Sequence, residues 1–252
     1  MKKLALATIS VLGASLLSTH ANSASFDCKK ATTWVEKTIC KNTELSNLDE
    51  AMAKKYKNHL VNESDDKDSK DWVTYEQRTW LKFQRNTCKD TACLIREYKE
   101  RIEDKAHYGV AWNFPDELSS SDLPSKSSFG EFSKNFQISI YNVDGKRKNT
   151  LQDATNTLSI NKVGNKPYLS IIEGVLIFTN AHTCDLGESK ATWSQNHWVI
   201  NDDQSDKDAE LRLYPATYKG KSQLLLRDMD DQFRWGRCGA RGYFDGIILE
   251  RE

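Results

Sequence analysis

Six cysteines lie downstream of an apolar N-terminal stretch, four between Cys28 and Cys93 and two at Cys184 and Cys238. Their placement constrains the fold more than any other feature of the chain. Lys2 and Lys3 open the stretch, Leu4 to Leu17 form its apolar middle, and Thr19-His20-Ala21 supplies small residues where a signal peptidase cuts. The middle is shorter than the roughly 20 residues a membrane-spanning helix needs. Residues 1–21 therefore read as a signal peptide, the location as periplasmic or secreted, and membrane insertion is not expected. In an oxidising compartment, an even cysteine count means crosslinks before nucleophiles or metal ligands.

Charge narrows the partners. Lysines plus arginines number 36, as do aspartates plus glutamates. Losing Lys2 and Lys3 leaves 34 against 36, a net charge of −2. Such a chain has no field to steer it onto nucleic acid or an anionic membrane. About 230 residues remain after the leader, enough for one large or two modest cores.

Residues 22–107 read as helices. Thr33-Trp34-Val35-Glu36 has capping-box spacing, and the helix it opens should end near Cys40. Asn42 or Thr43 caps the next, whose Leu45, Leu48, Met52, Tyr56 and Leu60 form one apolar stripe. Asn62 to Lys70 is almost wholly polar, so Asp71 is expected to open a third helix with Trp72, Tyr75, Thr79, Trp80 and Phe83 towards the core. Asp90 or Thr91 caps a last helix with Leu94 or Ile95, Tyr98, Ile102 and Ala106 inward. Trp34 and Trp80 read as core. A helical core this small calls for staples. Pairing Cys28 and Cys40 across to Cys88 and Cys93, in either order, closes the longer loops and stabilises more; 28–40 with 88–93 closes shorter ones. Spacing does not choose among the three.

Several of these blocks fall in a familiar order. Ser25-Phe26-Asp27-Cys28, Val35-Glu36-Lys37-Thr38-Ile39-Cys40, Glu44-Leu45 and Leu48-Asp49 resemble the opening of the LprI-type lysozyme inhibitor domain. Glu76-Gln77-Arg78-Thr79-Trp80-Leu81, Arg85-Asn86-Thr87-Cys88 and Ala92-Cys93-Leu94 are similar to its second half. The match covers residues 25 to about 105. The resemblance implies a helical domain that binds and blocks a c-type lysozyme in the periplasm or cell envelope, and it brings no short inhibitory motif to transfer.

Residues 108–136, rich in serine with Pro124 and Gly130, read as a linker or surface loop. From 137 to 252 the apolar period changes to two. Asp144-Gly145, Gly164-Asn165 and Ser194-Gln195-Asn196 mark turns between short strands, about eight in all, the signature of an antiparallel barrel or sandwich. The overall class is α+β: a small disulfide-stapled helical domain followed by an antiparallel β domain. Cys184 and Cys238 are expected to pair. Gly236, Gly239, Gly242 and Gly246 read as turns or close backbone approaches.

Catalytic constellations are not legible. No Gly-x-Ser-x-Gly elbow or His-Glu-x-x-His helix occurs, and His182-Thr183-Cys184 reads as crosslink rather than nucleophile. Asp202, Asp203, Asp206 and Asp208 lack the glycine and glutamate spacing of a calcium loop, and Asp228, Asp230 and Asp231 read as a turn. The expectation is a non-enzyme without metal or cofactor, acting by steric occlusion of a protein partner. That partner is a c-type lysozyme or, alternatively, a different wall-degrading toxin against which the chain confers immunity. Trp193, Trp198, Trp235 and Arg237 are the candidate binding anchors.

Overall fold

The computed structural model describes residues 24–63, 66–105, 123–141, 145, 147–201 and 209–252. The proposed leader, Ala106 and the aspartates at 202, 203, 206 and 208 lie outside them. Among the described residues, four α-helices precede nine strands. No helix among them is long and apolar enough to cross a membrane.

The helices are α1 (Trp34–Lys41), α2 (Thr43–Asn62), α3 (Lys67–Phe83) and α4 (Thr91–Glu103). Their starts follow local capping chemistry. Thr33 and Glu36 form the reciprocal capping box, Asn42 accepts from the Leu45 amide, and Asp90 accepts from the Cys93 amide. α3 begins earlier than the sequence implies, because Asp66 rather than Asp71 accepts from the Asp68 amide as its cap. The inner faces bring Ile39, Leu45, Met52, Trp80, Leu94 and Tyr98 into one core.

Three aromatic assignments need correction. Trp34 is exposed because Val35 and Ile39, one turn apart, take the inward positions of α1. Trp72 and Tyr75 are exposed and stack on each other at 5.6 Å. They fall on the first turns of α3, whereas its buried residues, Thr79, Trp80 and Phe83, all belong to its last turns.

The strands are β1 (Gly130–Tyr141), β2 (Asn149–Val163), β3 (Lys166–Ile177), β4 (Thr183–Asp185), β5 (Ser189–Ser194), β6 (His197–Asn201), β7 (Glu210–Tyr218), β8 (Lys221–Met229) and β9 (Ile248–Arg251). Eight of them close into an antiparallel barrel in the order β1-β2-β3-β5-β6-β7-β8-β9 and back to β1. Apart from the skipped β4 and the closing pair of β9 with β1, each neighbour in space is a neighbour in sequence, with short turns at β2–β3, β5–β6 and β7–β8 and a longer segment between β8 and β9. β3 pairs with β5 along its first half and with β4 along its second. Closure satisfies the backbone groups that a sandwich would leave on its edges. Strand alternation sends Phe132, Leu158, Ile172, Trp198, Leu213, Leu226 and Leu249 inward, and Phe233 and Phe244 join them from the β8–β9 segment. Each such side chain contributes roughly 1.5–3 kcal/mol of burial.

The β region starts at Gly130 rather than 137, since Phe132 alternates into the core opposite Leu158. The serine-rich segment before it is also packed: the Trp198 indole donates to the Ser128 carbonyl at 3.1 Å.

All six cysteines pair: Cys28 with Cys40, Cys88 with Cys93, and Cys184 with Cys238. The helical pairs are thus the short-loop alternative, which trades loop-closure entropy for pinning each end of a helix. Gly242 and Gly239 are there for space. A Cβ on Gly242 would stand 2.6 Å from the Cys184 sulfur, and one on Gly239 2.9 Å from His182 Nδ1.

The helices dock on the outer wall formed by β6, β7 and β8. Phe83 packs on Tyr214 and Leu225. Beside it lies a buried polar seam. Arg212 on β7 donates to Glu100 of α4 at 2.6 Å and to Glu210 on its own strand. Arg96 donates to Glu97 at 2.6 Å, to Asn196 at 2.9 Å and to Gln195. The Asn196 amide donates to the Gln84 carbonyl at 3.1 Å and the Thr87 hydroxyl at 2.9 Å. His197 stacks on Tyr214 at 4.6 Å and donates through Nδ1 to Asn196 at 2.8 Å. Burial, with Arg96 and Arg212 nearby, holds the His197 imidazole well below its ordinary range, so it is neutral.

Candidate functional site

Two of the four expected anchors are interior. Trp198 on β6 is 0% exposed and Trp193 on β5 is 6% exposed, their rings edge-on at 5.1 Å. Residues 191 and 193 on one strand and 198 and 200 on the next alternate inward, and period-two reading cannot say which face is the inside. Trp198 is closed to a partner, whereas Trp193, although nearly buried, still lines the cleft between the helices and the barrel. Arg237 holds the β8–β9 segment in place, its guanidinium 4.5 Å from the Phe233 ring and donating to the Leu186 carbonyl at 3.3 Å. Trp235 is 62% exposed, with Arg234 over its ring at 5.1 Å, and presents a surface.

The expected turn at Asp228 is built as an anchored loop. Its carboxylate accepts from the Phe233 and Arg234 amides at 2.8 and 2.9 Å. Burial pushes that carboxyl up to about 6.

The strand register assembles a site that no local motif announces. On the outer face of the barrel, Glu131 of β1 lies opposite Ser159 of β2, which lies opposite Glu173 of β3. The next row runs from Thr157 through Val175 to Asp185 of β4. With Glu188 they line a groove of about 420 Å³ holding four carboxylates and no cationic side chain. Glu131 and Glu173 are two strand spacings apart, about 10 Å. All four acids are exposed, so their charges are solvated and available. The chain positions are far apart, and the antiparallel pairing of β1 with β2, β2 with β3 and β3 with β4 brings them together. The floor is fixed by Gly174, where a Cβ would stand 2.4 Å from the Thr157 carbonyl.

A second concavity opens where the helices meet the barrel. It is a cleft of about 520 Å³ between the last turns of α3, residues 125–128, the β5–β6 turn and the end of β7. β7 is four strands from β2 around an eight-strand ring, so this cleft and the acidic groove occupy opposite walls.

Among the described residues, no group of three or more His, Cys, Asp or Glu side chains is arranged to hold a metal ion. No protein-family model, curated protein or solved structure matches the chain.

Proposed function

We propose that this chain is an exported protein that binds a c-type lysozyme and blocks it by occlusion, without chemistry of its own. The observation that carries the reading is the acidic groove across β1 to β4, four solvated carboxylates with no cation among the lining residues. A strongly cationic enzyme would meet an opposite field there. Complementary charge sets encounter rate and orientation more than raw affinity. Three disulfides suit an oxidising compartment and a protein that must hold its shape while bound. The ordered cysteine blocks of residues 25–105 support the same reading, because they resemble a lysozyme-inhibitor domain. The exposed Trp235 adds an aromatic surface on the same module.

The test is the clearing of a bacterial wall suspension by hen-type lysozyme as the protein is added. Equimolar protein should slow clearing, and reversing charge with Glu131→Lys and Glu173→Lys should restore it. Both positions are exposed, so the substitutions change stability by only about 0.5 kcal/mol. Unimpeded clearing at a large molar excess of folded protein would end the proposal.

A further inference from the structure

The cleft between the helices and the barrel is charged unlike the rest of the molecule. Acids and bases are equal in number along the chain, yet three cations and no carboxylate line this cleft. Arg78 and Lys82 stand four residues apart on α3 and so share one face. Like charges at that spacing destabilise a helix slightly, and no acid stands three or four residues from either to offset them. Lys82 lies 4.7 Å from the Tyr218 ring centroid and donates to Gln223, with Glu250 acting on it from outside the lining. Lys89 closes the far side, donating to the Leu123 carbonyl at 3.4 Å.

Volume and wall chemistry narrow the ligand. About 520 Å³ lies within the roughly 300–1,000 Å³ of small-molecule sites and is far more than a single ion fills. The remaining wall mixes hydroxyls and amides, including Ser125 and Thr217, with apolar Leu81, Trp193, Pro215 and Ala216, and Tyr218 is 52% exposed beside it. Hydroxyls and amides replace water around sugar hydroxyls, an aromatic ring covers the apolar face of a pyranose, and cations take a carboxylate. We propose that this cleft binds an acidic oligosaccharide, a short sugar chain bearing carboxylates. The site lies on the wall opposite the acidic groove and stands whether or not lysozyme is the protein partner.

Calorimetric titration of the full protein at low salt tests it, using tri-galacturonate, neutral maltotriose and inorganic phosphate as probes. Tri-galacturonate should bind saturably at one site, maltotriose should give no saturable heat, and phosphate should bind at least about tenfold more weakly. Arg78→Gln and Tyr218→Ala, both at exposed positions, should each weaken tri-galacturonate by about tenfold while leaving the thermal midpoint unchanged. Absence of saturable binding by folded protein at millimolar tri-galacturonate would overturn the proposal. So would phosphate binding as tightly as the saccharide, or binding that neither variant alters.

Discussion

Arg212 is the side chain on which the union of helices and barrel most depends. It is 0% exposed, and its guanidinium serves Glu100 of α4 at 2.6 Å and Glu210 of β7, both buried. At an effective dielectric constant of about 20, each close pair is worth about 4 kcal/mol of attraction, most of it offset by desolvation. Arg212→Leu keeps comparable bulk but leaves two carboxylates buried without their cation. Breaking a buried pair from one side costs about 3–5 kcal/mol, a large part of the roughly 5–15 kcal/mol that holds a domain folded. Burial already raises the Glu100 carboxyl above its ordinary value. In the variant that carboxyl should rise further, so acidification should recover part of the loss as it takes up a proton. Urea unfolding followed by fluorescence measures the change at neutral pH and again in mild acid. Adding Glu100→Leu should recover part of the stability, because one of the two stranded carboxylates is then removed. A loss below about 1 kcal/mol in Arg212→Leu, or none recovered by the second substitution, would refute the assignment of this seam as the electrostatic tie between helices and barrel.

Three further outcomes follow from named contacts. Replacing Cys184 and Cys238 by alanine opens a loop with sequence separation 54 and should cost about 4 kcal/mol, against about 2 kcal/mol for Cys88 and Cys93 with separation 5; thermal melts that rank them in reverse would contradict the loop-entropy reading. His197 is held neutral in the fold, so its contribution is present above the ordinary 6.5 and is lost as pH falls below it, when the unfolded chain takes a proton the folded one refuses. His197→Gln should flatten the pH dependence of stability there by up to about 1.4 kcal/mol per pH unit, and identical profiles for the two proteins would exclude it as the source. Gly242→Ala should cost about 1–3 kcal/mol, since the new methyl meets the rigid Cys184 sulfur at 2.6 Å; an unchanged melting point would show that the disulfide yields.

What could be read from the sequence was what local chemistry decides. Thr33 with Glu36, Asn42 and Asp90 each cap a helix within four residues of chain, and those starts are where the spacing puts them. Gly164-Asn165 and Ser194-Gln195-Asn196 likewise turn the chain between strands. The misplaced features all depend on partners distant in sequence. Trp72 is apolar at a helical interval, but nothing in its own segment says that only the last turns of α3 meet the core. Trp198 reads as a binding anchor, yet Asn196 two residues before it is covered by Arg96 and Glu97 of α4 and by Gln84 just past α3, and Trp198 itself lies inside. Those same residues look like ordinary solvent-facing polar positions of a helix. Their burial appears only once the helices rest on the turn between β5 and β6. The acidic groove is hidden for the same reason, because Glu131 and Glu173 become neighbours of Ser159 through a register that spans three strands.

The most direct measurement is equilibrium titration of purified c-type lysozyme with the folded, fully oxidised protein at two salt concentrations. One-to-one binding that weakens as salt rises and is lost with Glu131→Lys and Glu173→Lys is the expected result. No binding at low salt, or binding indifferent both to salt and to those reversals, would contradict the assignment of the acidic groove as the surface that meets the enzyme.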